Sequence, residues 1–565
     1  MNIDTIDFLD PATQENPFAS YEALLTQAPV HFMPSIQAYV VSSHAAIRHV
    51  VTHPAIWSID FRARPDAQLI KTPRARALLE AGGFPRDTKL TTDPPAHTAY
   101  RAAVAKAFMP ARVAAQKEFI ASVVNELVQG LRGGTHCEFM RDVAWTLPMR
   151  VVTRLLGVPA EDADRIKHWS DVWVEPLAYG LSEERELYVA QEEIALQKYL
   201  VAHMQSKLDN PGEDILTELA NARMADGSPM PLAEKVGLAE HLIVGGHETA
   251  TSALGSGMMI LAQRPDIAAA LRADPSRVER FVEEVLRLES PSAGFFRVAV
   301  QDAELEGVHI PAGSMVHLRF AAANRDASVF ERPAELDLDR PNPRAHLAFS
   351  YGVHTCLGAP YARLELQEAF RALVLALDEI ALDPSEPPPA HIPGLSLRTL
   401  KALHITYSAR SAPEPRTTTM QISTPRATLT TEAILALLNA AVARAQALDV
   451  RIHVAICDSA ARRVGFLSMD GALPIAAITG ERKAFTAANM NMSTGQWEAY
   501  VNSLKPGEQK IVDAIEGYVA ARGGFPVRQG GTLLGSIGIS GASQEIDADI
   551  GLAALAAIGA EVVEG

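Results

Sequence analysis

Apolar side chains return every three or four positions between residues 113 and 226, which predicts a run of helices there. A longer apolar stretch, 231–261, reads as one long helix, and 359–377 reads as an amphipathic one. Short alternating stretches, 30–33 and 38–41, read instead as strands within a mixed helix-and-sheet opening over residues 1–60. Residues 80–96 are rich in Gly, Pro and Thr and are expected to form a loop, with a helix following it to Phe108. Residues 290–297 should be extended. The segment 409–428 is polar, proline-bearing and aperiodic, the composition of a linker. Beyond it the pattern restarts. A helix over 431–448, strands over 451–458 and 464–469, a helical run from Lys483, glycine-bounded strands within 523–541 and a helix over 545–558 are expected. The expected architecture is a mainly α domain with small β-sheets over 1–408, a linker over 409–428, and a smaller α+β domain over 429–565.

Length and charge narrow the classes. A chain of 565 residues exceeds one ordinary core, so two or more domains are expected. Three cysteines, Cys137, Cys356 and Cys457, build no disulfide framework and fit a reducing compartment. They also fall short of the four thiolates that an iron–sulfur cluster needs. The first residues carry several acidic side chains and no long apolar run, so neither a signal peptide nor a membrane anchor is expected, and the cytoplasm is the expected location. A net charge of −16 argues against nucleic acid as a partner.

Four groups of residues carry candidate chemistry. In Phe349-Ser-Tyr-Gly352-Val-His354-Thr-Cys356-Leu-Gly358, one cysteine sits between glycines just before a helix. The free N–H groups at a helix start favour a thiolate, and a thiolate so held suits a haem iron that must break an O–O bond. Taken alone, such a cysteine is as well read as a packed core residue. His97 and Arg101 are four apart in Asp93-Pro-Pro-Ala-His97-Thr-Ala-Tyr-Arg101 and share a helix face, where they could grip a carboxylate or be a solvated pair. Within the long helix, Gly245-Gly-His-Glu248-Thr249 joins helix-weakening glycines to an acid and an alcohol. That combination suits proton delivery, or a kink with a back-bonded threonine. Glu284 and Arg287 lie i,i+3 and could pair.

Taken together and in this chain order, these motifs resemble those of the cytochrome P-450 family, over residues from about 5 to about 408. The resemblance implies that Cys356 binds the iron of haem b. It implies that His97, Arg101, Arg297 and His354 hold the propionates, with Gly245, Phe349 and Gly358 also at the cofactor. Glu248 and Thr249 become the proton-delivering pair. Val244, Ala293, Gly294, Phe295 and Phe296 are candidates to touch substrate, although a core role suits the two rings equally. Glu284 and Arg287 become a structural network, joined by Arg332 or Arg340. The implied reaction is hydroxylation or dealkylation of a small apolar substrate with O2 and electrons from a separate ferredoxin and ferredoxin reductase. Arg112, Arg344 and Arg363 are candidates to dock such a ferredoxin. Two other uses of the site stay open: a peroxide-driven peroxygenase, and a haem sensor or storage fusion that is not an enzyme. An intact acid–alcohol pair speaks against both.

The tail has its own likeness. Its Arg-Lys-Ala-Phe-Thr-Ala run, Gly-Gly-Phe-Pro, and Gly-Ser-Ile-Gly-Ile-Ser-Gly-Ala resemble the GlcG/HbpS family of small oligomeric proteins, some of which bind or degrade haem. A homo-oligomer built through this domain is therefore expected. His453 is the only histidine in the tail and so the candidate for a second haem ligand, a merely packed imidazole being the plainer reading.

Overall fold

The computed structural model describes residues 1–60, 70–86, 91–177, 181–224, 226–410 and 427–561. The chain divides into two compact units, Met1–Glu414 and Pro415–Gly565. Most of the expected linker lies outside the described residues. Among the described residues no helix is long and apolar enough to cross a membrane.

The first unit is helical with small sheets. Strands β1 (Val30–Met33), β2 (Ala38–Val41) and β3 (Trp57–Ser58) join β4 (Phe295–Ala299) and β5 (Met315–Leu318) in a sheet of order β1-β2-β5-β4-β3. The β2–β5 pair is parallel and the others antiparallel. Helices α1 (Ala96–Ala105), α2 (Ala163–Val174) and α3 (Glu183–Asp209) precede the long α4 (Leu232–Gln263). Helix α4 stops because Pro265 disfavours helical geometry at Arg264, whose φ and ψ are −128° and 74°. Its C-terminal half is core: Leu254, Met258 and Leu261 meet Phe281 of α5 (Val278–Leu288) and Phe370 of α6 (Ala359–Ala376). Gly257 makes this close approach possible, since a Cβ there would overlap the Phe370 ring.

The Glu284–Arg287 pair lies in the interior rather than on the surface. Arg287 donates to both carboxylate oxygens of Glu284, at 2.7 and 2.9 Å, and both side chains are fully buried. Arg340 joins them at 2.8 Å, whereas Arg332 points outward to Glu335 and Asp337. The remaining guanidinium N–H groups donate to the carbonyls of Asn324, Glu331, Pro333 and Glu335. Side chains thus do for this irregular stretch what a backbone ladder does elsewhere. It leads straight into the cysteine loop.

The second unit is α+β. Strands β6 (His453–Asp458), β7 (Arg463–Ser468), β8 (Gly524–Gln529) and β9 (Thr532–Ser540) form an antiparallel sheet of order β7-β6-β9-β8. On one face Val454, Ile456, Ile537 and Ile539 pack with Leu437 of α7 (Thr431–Ala447) and with Ile550 and Leu555 of α9 (Gln544–Ala557). On the other, Ala455 and Cys457 meet Ala484 and Ala488 of α8 (Pro474–Met490). Lys483 explains part of the Arg-Lys-Ala-Phe run: its buried ammonium sits 2.8 Å from the Asp547 carboxylate and 2.9 Å from the Ile539 carbonyl. Two helices, Thr494–Ser503 and Pro506–Asp513, were not expected from the apolar pattern. The Ser493-x-x-Gln496 capping box is the sequence signal of the first, and Pro506 at the first helical position that of the second.

Candidate active site

Helix α4 carries the candidate acid and alcohol on a turn that borders open space. Gly245 is exposed, and a Cβ built on it would meet nothing within 4 Å. The Thr249 hydroxyl donates back to the Gly245 carbonyl at 3.1 Å. Glu248 turns toward α2, where it meets residues that sequence reasoning missed. Its carboxylate lies 3.1 Å from Nδ1 of His247, and Asp171 lies close enough for ligand-type atoms of all three residues to fall within 4.8 Å. Lys167 donates to Asp171 at 2.6 Å and is about a quarter exposed. The Lys167 ammonium offsets one of the two carboxylates and occupies Asp171, which disfavours a metal ion here. Burial pushes Asp171 above the usual carboxylate range, against its Lys167 hydrogen bond. Burial also raises Glu248, but the contacts with His247, Lys167 and Asp171 outweigh it and hold the carboxyl low. Of the two, Asp171 holds a proton more readily. The only trace of this in the sequence is the i,i+4 spacing of Lys167 and Asp171.

The candidate anion-binding residues come together. The rings of His97 and His354 stand 4.1 Å apart, one on α1 and one on the cysteine loop. Burial lowers the His97 imidazole, and the nearby Arg101 charge adds to that. Arg297, on β4, is buried, and its one hydrogen bond among the described residues runs to the Phe296 carbonyl at 2.7 Å. Burial pushes this guanidinium down to about 10, with Asp93 opposing. A buried cation with no carboxylate at ion-pair distance among the described residues is costly unless an anion reaches it. A haem propionate would supply that anion, so the donor set fits the group.

Cys356 is accessible, whereas Cys137 and Cys457 are buried. Its N–H donates to the Phe349 carbonyl at 2.9 Å, and a Cβ at Gly358 would sit 3.9 Å from Sγ. Gly352 has a φ of 72°, a left-handed turn that favours glycine. The helix-start effect on the thiol is present but is not the largest. Although the residue is accessible at the surface, the protein packed around Sγ pushes the thiol up, while N–H groups of Gly358 and Ala359 and the charges of Arg101 and Arg363 pull it down.

Among the substrate candidates, Val244 and Ala293 are buried, Phe295 is exposed, and Phe296 packs 4.7 Å from the His317 ring. Gly294 answers to packing, because a Cβ there would overlap the Leu318 carbonyl. Of the candidate docking arginines, Arg344 is the exposed one. Arg363 is bound to Glu283 at 2.7 and 3.0 Å, and Arg112 to Glu213 at 2.7 Å. Over α4, Arg86 donates to Glu193 of α3 at 2.8 Å and stacks on Trp173 of α2. In the second unit, His453 is buried, its Nε2 3.0 Å from the Leu473 carbonyl and its ring stacked on Phe466. That is the packed arrangement.

Known proteins match both units. The family model described as Cytochrome P450 matches residues 177–405, and that described as Haem degrading protein HbpS-like matches 429–556. Cytochrome P450 monooxygenase PikC of Streptomyces venezuelae is 33% identical over 398 residues, spanning 69% of this chain and 91% of that protein. Vitamin D(3) 25-hydroxylase of Pseudonocardia autotrophica is 32% identical over 402 residues, spanning 70% and 95%. The solved structure of cytochrome P450 CYP109Q5 from Chondromyces apiculatus superposes with a TM-score of 0.64 at 30% identity, covering 73% of this chain and all of that one. Proteins of this family bind haem b through a cysteine thiolate. With its accessible cysteine ahead of α6, its convergent anion-binding groups and its acid–alcohol turn, this chain belongs to the cytochrome P450 family and carries a C-terminal HbpS-like domain.

Proposed function

We propose that the enzyme hydroxylates or dealkylates a small, largely apolar molecule in the cytoplasm, with electrons from a separate ferredoxin and its reductase. The observation that carries this is the relay on α4 and α2. Haem b, when bound, supplies the iron at which dioxygen is reduced and cleaved. Cys356 would hold that iron through Sγ, and His97, Arg101, Arg297 and His354 would hold the carboxylates of the haem. Thr249 and Glu248 deliver protons at the open face beside Gly245. Asp171, the carboxyl more ready to hold a proton, refills Glu248, and Lys167, about a quarter exposed, links Asp171 to solvent. A peroxide-driven enzyme has no need of such a chain. The name of the vitamin D(3) 25-hydroxylase relative supports an apolar substrate.

The HbpS-like domain serves as the assembly module. Strand β7 is a sheet edge, and Val464, Phe466, Leu473, Ile475 and Ile478 around it are 38% to 69% exposed. Together they present roughly 500 Å² of surface, so a two-fold pair that covered it would bury about 1,000 Å², the lower bound for a specific interface. Arg463 at this edge is paired within the chain with Glu481, and neighbouring Arg462 with Asp458. A Phe466→Asp, Ile475→Asp double variant is expected to sediment as a monomer with its haem spectrum intact. An undisturbed oligomer would rule out this edge.

For the chemistry, the test is the reduced carbon-monoxide spectrum together with product formed per NADH consumed. A red-shifted thiolate band and coupled turnover with the ferredoxin system are expected. Equal rates with peroxide alone would favour a peroxygenase.

A further inference from the structure

One polar side chain beside the open face of α4 has no role in the chemistry above. His241 lies one turn before Gly245 and two before Glu248, so the three share a helix face. Among the described residues its Nδ1, sealed from solvent, is without a hydrogen-bond partner, and no hydrogen bond or ion pair involves its Nε2. The residue as a whole is nonetheless partly accessible, which leaves a route to it.

This sets it apart from the other inward-facing histidines. His44, His346, His391 and His453 each bond a carbonyl or a carboxylate. The His247 side chain makes no hydrogen bond among the described residues either, but its Nδ1 faces the Glu248 carboxylate at 3.1 Å and the residue is fully buried. His317 is also unpartnered but is fully enclosed, packed against Phe296 and Gly294, so no ligand can reach it. An imidazole left unbonded at a buried site is a cost that a ligand can remove.

We propose that His241 is a specificity-determining residue that holds a hydroxyl group of the substrate by hydrogen bond, one turn beyond Gly245. This rests on the monooxygenase reading, since it needs a substrate above the cofactor. The choice of a hydroxyl follows from the state of the ring. Burial alone pushes the imidazole down to about 4, so it is neutral at working pH and offers one donor and one acceptor. A hydroxyl can satisfy either nitrogen in either tautomer. A carboxylate gains one hydrogen bond but no opposite charge from a neutral ring, too little to offset the loss of its own hydration. The substrate is therefore an apolar body carrying at least one alcohol or phenol, held at that group while a more distant C–H bond is oxidised.

The experiment titrates the haem-loaded full chain with matched pairs, 4-ethylphenol against ethylbenzene and 1-adamantanol against adamantane, reading the Soret shift. The hydroxylated member is expected to bind about ten-fold more tightly, the worth of one buried hydrogen bond. The preference should vanish in His241→Leu and survive in part in His241→Gln. A second readout needs no substrate: with no partner to lose, His241→Leu should raise the thermal midpoint of the free holoenzyme, by about 2 °C. A structural histidine would lower it. The proposal is overturned by a lower midpoint in the leucine variant, by a preference that persists in it, or by a wild type that does not favour the hydroxylated members. Loss of the thiolate spectrum in the wild type would instead overturn the monooxygenase reading itself.

Discussion

At the scale of single residues, the relay and the buried carboxylates make the sharpest predictions. Thr249→Ala keeps the fold, because its hydroxyl bonds only its own helix. It should cut product formation per NADH by about 10² while cofactor reduction continues, the range of a lost proton donor. Asp171→Asn should slow the same step with the carbon-monoxide spectrum unchanged. Full coupling in both variants would remove the relay. Glu283 speaks to pH. Burial alone would raise its carboxyl, but hydrogen bonds from His346 and Arg363 hold it at about 2. Its folded value is depressed, so its contribution is complete above the ordinary carboxylate range and is lost as pH falls toward 2. Glu283→Gln should cost about 3 kcal/mol at pH 7, with the gap to the wild type closing below pH 4.5, as urea midpoints across that range would report. The spacing of Glu284 and Arg287 was legible in the sequence. The partners of Glu283 were not, since they stand 63 and 80 residues away and only the fold brings them together.

At the scale of elements, periodicity located the long helix and the cysteine helix to within a residue or two. It did so because each presents a broad apolar face to one core. It missed the short helices after α8, which bury little and are set by their caps. It also could not distinguish glycines that make room from glycines that merely occur. Gly257 faces the Phe370 ring, so Gly257→Ala should destabilise by about 2 kcal/mol despite alanine's better propensity. Gly130, exposed near the end of the helix Lys117–Leu131, has nothing within 4 Å of its Cβ position, and Gly130→Ala should stabilise by about 1 kcal/mol. Denaturation midpoints of opposite sign would bear this out, and equal shifts would refute it.

At the scale of the whole molecule, each of the two units has its own apolar core. Calorimetry should therefore resolve two transitions, and cutting the chain within 411–426 should leave each with its own midpoint. All haem should stay with the first unit. Haem retained by the isolated second unit and lost in His453→Ala would give that domain a binding role of its own. The Arg287–Glu284–Arg340 network has a last consequence, in time rather than in space. The stretch it braces, from Asn324 to the cysteine loop, has little ladder of its own and would ordinarily exchange its amide hydrogens within seconds. Bound to two interior guanidinium groups, it can open only when they are released. Its amides should exchange as slowly as those of α5, so the iron-binding loop keeps the lifetime of the core.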